Sequence, residues 1–174
     1  MTDYCKLSLY PAAIEDLSCA MAMIQAAKDF HKAIGLDQWN DDYPAVSDIE
    51  ADIHAGKAYF LCDDGCKVAY LCLDLDGEAI YNELEGHWLT DTNTTYLVIH
   101  RLAMDGKQRG KGYSSAVFSL VDQFCRDHEV GSIRVDTHAE NEIMQHLIRK
   151  AGFVYCGIVY YNGSPRTAFE KIVK

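Results

Sequence analysis

Proline is scarce: three occur in 174 residues. There is also no Pro/Gly/Ser-rich linker, low-complexity run or internal repeat, which excludes a string of modules, and one continuous domain over residues 1–174 is expected. Long apolar runs are missing as well. None approaches the ~20 residues that a membrane helix needs, and Met1-Thr2-Asp3-Tyr4 lacks the basic-then-apolar layout of a signal peptide. The expected location is the cytoplasm, with no membrane as a partner. Basic charge is short, at 16 Lys plus Arg against 26 Asp plus Glu, for a net charge of -10. Without a dense basic run a nucleic-acid partner is disfavoured. Cationic partners such as amines are favoured if the acids lie near the site.

Cysteine is present without the arrangement of a disulfide framework. The seven residues (Cys5, Cys19, Cys62, Cys66, Cys72, Cys125 and Cys156) are odd in number and scattered among apolar neighbours, which suits thiols in a reducing compartment. Cys62-Asp-Asp-Gly-Cys66 is the only close pair. A zinc half-site would want a second Cys/His pair at suitable spacing, and none follows, so the segment reads as strand-turn-strand and no metal is expected. A chain of this length buries roughly 70% of its unfolded surface, and its 49% hydrophobic content is enough for an apolar core to hold it without staples.

Lys6 to Tyr10 is a short strand, and from Pro11 the residues Ile14, Leu17, Met21, Ile24 and Phe30 recur at helical spacing to about His31. Ser47-Asp-Ile-Glu50 has the form of a capping box opening a second helix, with Gly56 as its stop. Ala58 to Cys62 and Lys67 to Asp74 form a hairpin about Asp63-Asp64-Gly65. Thr94 to Met104 is a long strand feeding Asp105-Gly-Lys-Gln-Arg-Gly-Lys-Gly112. A helix follows from Tyr113 with Val117, Leu120, Val121 and Phe124 as its apolar stripe. Then come the strand Ser132 to Thr137, the helix Asn141 to Lys150 with Ile143, Met144, Leu147 and Ile148 inward, and Gly152 as its end. Phe153 to Tyr161 and Thr167 to Val173 pair across Asn162-Gly163. The expected class is α/β (α+β), with a mixed, mostly antiparallel sheet and helices on both faces.

Gly110 and Gly112 sit where a strand turns into a helix, so backbone amides there can converge on one anion. The helix dipole adds partial positive charge, and Arg109 and Lys111 add full charges suited to phosphate oxygens. The alternative is a tight turn carrying two solvated cations. The lysine is not followed by Ser or Thr in a P-loop arrangement and no Gly-x-Gly-x-x-Gly occurs, which leaves another pyrophosphate ligand.

Leu102-Ala-Met-Asp-Gly-Lys-Gln-Arg-Gly-Lys-Gly-Tyr-Ser114 closely resembles the acetyl-CoA motif of the Gcn5-related N-acetyltransferases, Arg/Gln-x-x-Gly-x-Gly/Ala. Arg109, Gly112 and Ser114 hold its three defining places, with Ser114 departing from Gly or Ala while staying small. Asn141 through Lys150-Ala-Gly-Phe153 is similar to the family's Asn, helix, Lys-x-Gly-Phe segment. The order of elements is also that family's, so the resemblance spans essentially the whole chain. It implies acetyl-CoA as the acyl donor. The backbone of Leu102, Ala103 and Met104 would hold the pantetheine arm and thioester. Arg109, Gly110, Lys111, Gly112, Tyr113 and Ser114 would hold the pyrophosphate, and Asn141 would touch the cofactor arm. The implied reaction is direct attack of a neutral amine on the thioester carbonyl, which calls for a proton acceptor, an amide dipole and a way to protonate the departing thiolate.

The place where histone-modifying members carry a base glutamate is Val98 here. His100, two residues on, resembles in His-x-Leu-Ala one of the paired histidines of serotonin N-acetyltransferase, and an imidazole suits proton acceptance from an ammonium. The alternative is a hydrogen-bonded structural histidine. The tyrosine acid of many members is replaced by Ile148. His138 is one substitute and a tyrosine such as Tyr81 or Tyr160 another, the plain alternatives being a helix-start hydrogen bond for His138 and core or groove aromatics for the tyrosines. In Gly35-Leu-Asp-Gln-Trp-Asn-Asp-Asp-Tyr-Pro44, Trp39 and Tyr43 with Asp37, Asp41 and Asp42 suit a cationic acceptor. An acidic loop anchored by Trp39 is the other reading. Tyr81, Glu83 and Trp88 raise the same question. The implied partner is a small-molecule amine or aminoacyl compound, with a homodimer left open. The competing function is a non-catalytic acyl-CoA sensor or regulatory subunit, suggested by Val98 and Ile148.

Overall fold

The computed structural model describes residues 7–174, so Cys5 and the expected strand start at Lys6 lie outside the described residues. The chain divides into two compact units, residues 1–73 with 100–117 and residues 74–99 with 118–174. The divisions fall inside regular elements, and no linker composition marks them.

The first unit opens with β1 (Leu7–Pro11), a 3-10 turn (Ile14–Asp16) and helix α1 (Leu17–Ala33). The turn delays the helix beyond Pro11. Asp16 accepts from the Ala13 amide at 2.9 Å, an acid three residues on satisfying a free donor. Helix α2 (Val46–His54) starts earlier than Ser47 for the same reason. Its N-cap is Ala45, whose amide donates to Asp48 at 2.7 Å, so Asp48, rather than Ser47 and Glu50, closes that end. Strands β2 (Ala58–Asp63) and β3 (Cys66–Asp74) form the expected antiparallel hairpin, with β1 antiparallel on β2. Cys62 and Cys66 flank its turn, one buried and one exposed. Ala20, Met23, Ile24 and Ala27 of α1 and Ile49 and Ile53 of α2 pack on Phe60 and Tyr70 as the core of this unit.

Strand β5 (Tyr96–Met104) crosses between the units, as does helix α3 (Tyr113–Asp127). In the second unit the first residues of β5 run parallel to β6 (Ser132–His138), pairing Tyr96, Leu97 and Val98 with Ser132, Ile133 and Arg134. Next come helix α4 (Glu142–Lys150), β7 (Val154–Tyr161) and β8 (Ser164–Ile172). The latter two make a hairpin tighter than expected, pairing up to Tyr161 and Ser164 across Asn162-Gly163. A two-residue strand β4 (Glu85–Gly86), which the periodicity does not show, lies antiparallel on β7. It can do so because Gly86 and Gly157 face each other: a Cβ on either would overlap the carbonyl of Cys156 or Glu85.

Three helix faces differ in detail from the expected stripes. In α1, Ile14 falls in the 3-10 turn and is 42% exposed, and Ala20, Met23 and Ala27 join Ile24 as the buried positions. Ala116, Val117, Phe118, Val121 and Cys125 are the buried positions of α3, while Leu120 and Phe124 lie at its margins. In α4 Ile143 is 50% exposed and Gln145 is buried in its stead. The Gln145 amide donates to the Ala139 carbonyl at 2.7 Å, which satisfies the polar group inside and rotates Ile143 outward. No helix among the described residues is long and apolar enough to cross a membrane.

Candidate active site

The chain leaves β5 under tight control. The Asp105 amide donates to the Val68 carbonyl at 2.9 Å, and the Asp105 side chain accepts from the Lys107 amide at 3.0 Å, setting the 3-10 turn Gly106–Gln108. Gly110 and Gly112 then take φ of +80° and +84°, with nothing within 4 Å of a built Cβ, so backbone conformation and not space demands glycine here. At the start of α3 the Tyr113 hydroxyl donates to Asp63 at 2.6 Å. Both ends of the turn are thus fastened to the β2–β3 hairpin, and its amides are held before any ligand arrives. Tyr113 therefore offers the turn its backbone, its hydroxyl being engaged by Asp63. Ala103 likewise has only backbone to offer, since its side chain is in the core.

The cations of the turn are not neutralised by it. The Arg109 guanidinium lies 3.9 Å over the Phe30 ring and has no carboxylate partner among the described residues. Lys111 donates to the Gln108 amide oxygen at 2.9 Å. Burial lowers the Arg109 pKa, the sign of a desolvated charge that an anion would relieve. A helix start, two glycines and an arginine with no carboxylate partner among the described residues are features suited to a phosphate or diphosphate.

Phe30 carries the next link, because its neighbour His31 places its ring 5.3 Å from that of Trp39. The His31 Nδ1 is buried without a hydrogen-bond partner among the described residues. Burial, and then the charge of Arg109, push its pKa below 6.5. As pH falls through 6.5 the unfolded chain takes up a proton that the folded chain refuses, so stability falls, while well above 6.5 both states are neutral and nothing is lost. The melting temperature should therefore decline between pH 7 and 5 less steeply in a His31→Phe variant than in the wild type. Equal slopes would contradict the assignment.

Other expected site residues group by unit. In the first unit His100 is half-buried on β5, two residues before Leu102. Trp39 packs against the core. The Tyr43 hydroxyl accepts from Arg101 at 3.0 Å, and Asp37, Asp41 and Asp42 are exposed. In the second unit Tyr81 is 2% exposed and donates to Asp136 at 2.8 Å. Burial, then the Asp136 charge, raise the Tyr81 pKa well above 10. Glu83 is exposed. Tyr160 donates to Glu85 at 3.3 Å. The Nδ1 of His138 accepts from the Glu140 amide at 3.3 Å, in the loop ahead of the α4 N-cap Asn141, which leaves the Nε2 to carry the proton of the neutral ring. Asn141 is buried as the N-cap of α4, accepting from the Met144 amide at 3.0 Å.

Sequence reasoning missed His31, Arg101 and Asp52. For the last two a signal existed. Asp52 sits with Ile49 and Ile53 at the spacing of the buried stripe, and Arg101 interrupts an apolar strand. A charge in such a position needs a buried partner, and the two are each other's. His31 carries no comparable mark.

The sequence profile of the acetyltransferase (GNAT) family matches residues 21–153, and the chain belongs to that family. No curated protein sequence matches it. A GNAT-family acetyltransferase structure from Streptococcus agalactiae is 33% identical, with 97% of this chain and 96% of that one covered and a TM-score of 0.85. The putative acetyltransferase yncA from Salmonella typhimurium, solved with its cofactor acetyl-CoA, shares the fold at 12% identity, TM-score 0.65, with 97% and 95% covered. AAC(6')-Ib in complex with ribostamycin and coenzyme A does so at 20% identity, TM-score 0.69, with 96% and 93% covered.

Proposed function

We propose that this acetyltransferase uses acetyl-CoA to acetylate the primary amine of a cationic small molecule, by direct attack of the neutral amine on the thioester. The observation that carries the reading is the fastened turn of residues 105–114, with two left-handed glycines, a helix start and Arg109 without a carboxylate partner among the described residues. Acetyl-CoA bound there supplies an activated acyl group whose thiolate leaves readily. The chain supplies the rest. Amides of Arg109 to Ser114 hold the diphosphate, and the backbone of Leu102, Ala103 and Met104 pairs with the pantetheine arm as an added strand. His100 accepts the proton of the amine directly or through one water. His138, with its Nε2 protonated, suits donation to the leaving sulfur, and the Asn141 amide meets the cofactor arm. Trp39 and Tyr43 form an aromatic wall for the acceptor, beside exposed acids that favour a cation. Tyr81 and Glu83 are the second acceptor-facing candidates. Of these Glu83 has the exposed carboxylate, whereas Tyr81 is held by Asp136.

Two measurements test this. Calorimetric titration should show acetyl-CoA binding that Arg109→Ala weakens roughly tenfold to a hundredfold, the value of about 1.5–3 kcal/mol for a hydrogen bond to a charged group. A panel of amines and aminoacyl compounds, read by release of free thiol, should contain an acceptor. No binding at millimolar acetyl-CoA would overturn the reading.

A further inference from the structure

Inside β5, Arg101 adopts a φ of +52°, a left-handed conformation that a long L side chain takes only where its surroundings over-determine it. Those surroundings are visible. The Arg101 Nε donates to Asp52 Oδ2 at 2.7 Å, its Nη2 donates to Asp52 Oδ1, and its Nη1 donates to the Tyr43 hydroxyl at 3.0 Å. The Tyr70 hydroxyl donates to the same Asp52 carboxylate at 2.8 Å. Asp52 is 5% exposed and Tyr70 fully buried. A buried ion pair is weak evidence for stability, because apolar residues of the same volume often do as well. What this pair does specifically is hold geometry. It keeps the backbone turned at the residue between His100 and Leu102, and it reaches the loop between α1 and α2. That loop is a closed turn about Asn40, whose side chain accepts from the amides of Asp42 at 2.9 Å and Tyr43 at 3.0 Å. Moving Tyr43 therefore moves the loop that carries Trp39.

We infer that Asp52, Arg101 and Tyr43 form a positioning relay, in which Asp52 locks Arg101 in its turned backbone and Arg101 in turn sets Tyr43 as the wall that orients the acceptor amine. The inference rests on the reading of this chain as an amine acetyltransferase. Its parts have separate effects. The Tyr43 hydroxyl governs where the acceptor lies, while the fork of Arg101 on Asp52 governs how His100 and the Leu102 amide are presented. A lysine keeps the charge at 101 but cannot make the two parallel bonds.

The test compares Tyr43→Phe and Arg101→Lys with the wild type, using whichever amine of the panel turns over. Tyr43→Phe keeps the ring at a half-buried position and will fold, so it carries the test if Arg101→Lys does not. It should raise the KM for the amine about tenfold, leaving kcat and the acetyl-CoA Kd within twofold. Arg101→Lys should lower kcat about tenfold or more at an unchanged acetyl-CoA Kd. Loss of folded protein would instead lower apparent kcat without moving the KM, so the KM shift of Tyr43→Phe separates positioning from mere structure, and the kcat of Arg101→Lys is taken per folded molecule, counted by the stoichiometry of acetyl-CoA binding. Unchanged kcat and KM in Tyr43→Phe, with the wild type active, would overturn the relay alone. Absence of turnover in the wild type across the panel would overturn the reading beneath it, and the relay with it.

Discussion

Replacing His100 with glutamine should leave acetyl-CoA binding intact and lower the acetylation rate ~100- to 10,000-fold, the usual worth of one general base. His100 is half-buried on β5, next to the turned Arg101 and two residues before the backbone that should hold the thioester. Glutamine keeps a polar side chain of similar reach but accepts no proton in this pH range. The amine arrives as an ammonium and must lose a proton before it can attack, so removing the acceptor acts on the reaction and not on the donor's binding. The wild-type rate should rise with pH through a histidine-like ionisation, and the variant should lose that step. An unchanged rate and pH profile would exclude the role. Weakened acetyl-CoA binding would show that His100 supports the strand instead.

The second large effect is on stability. Glu170 is fully buried on β8, and five donors converge on its carboxylate. Oε1 accepts from Thr90 Oγ1 at 2.5 Å, Ser132 Oγ at 2.7 Å and Arg134 Nε at 3.0 Å. Oε2 accepts from the amides of Leu89 at 2.5 Å and Thr90 at 3.2 Å. Arg134 is itself held between the rings of Trp88 and Tyr96, at 4.2 and 3.9 Å. In Glu170→Gln one end of the side chain becomes a donor facing donors, and Arg134 keeps its charge without a partner. Breaking one side of a buried pair costs about 3–5 kcal/mol, which for a domain of this size lowers the melting temperature by roughly 6–20 °C. Burial alone would raise the Glu170 pKa, but the hydrogen bonds of Thr90, Ser132 and Arg134 outweigh it and hold the pKa below 4.5. The stabilisation is thus complete above 4.5 and lost as pH falls through the depressed folded value. Differential scanning calorimetry at pH 7 should show the full gap between wild type and variant, and the gap should close in acid. A gap of less than 2 °C at pH 7 would contradict the account.

What the sequence shows and what it hides divide along a physical line. Periodicity marks helices α1 and α3, a capping pattern marks α2, and the β2–β3 and β7–β8 hairpins follow from strand-like runs around Asp64-Gly65 and Asn162-Gly163. Local spacing suffices there because each signal lies within a dozen residues. The Arg109 to Ser114 turn is legible for the same reason, since its chemistry is contiguous. Polar contacts between distant residues leave no spacing to read. Glu170 and Thr90 are 80 positions apart, and Arg101 and Asp52 are 49 apart. Short segments also escape: β4 is two residues long and exists only because Gly157 lets it approach. Where an acid three residues ahead caps a turn, as Asp16 and Asp48 do, the helix start shifts from its apparent place.

On this reading the turn at residues 105–114 serves acetyl transfer to an amine. Its most direct measurement is the stoichiometry of products when the wild-type protein is incubated with acetyl-CoA and the panel of cationic amines, with free coenzyme A and acetylated amine quantified together by mass spectrometry. The account predicts one acetamide for each coenzyme A released, with at least one amine of the panel. Calorimetric binding of acetyl-CoA with neither product formed across the panel would contradict it, and would identify the protein as an acyl-CoA sensor instead.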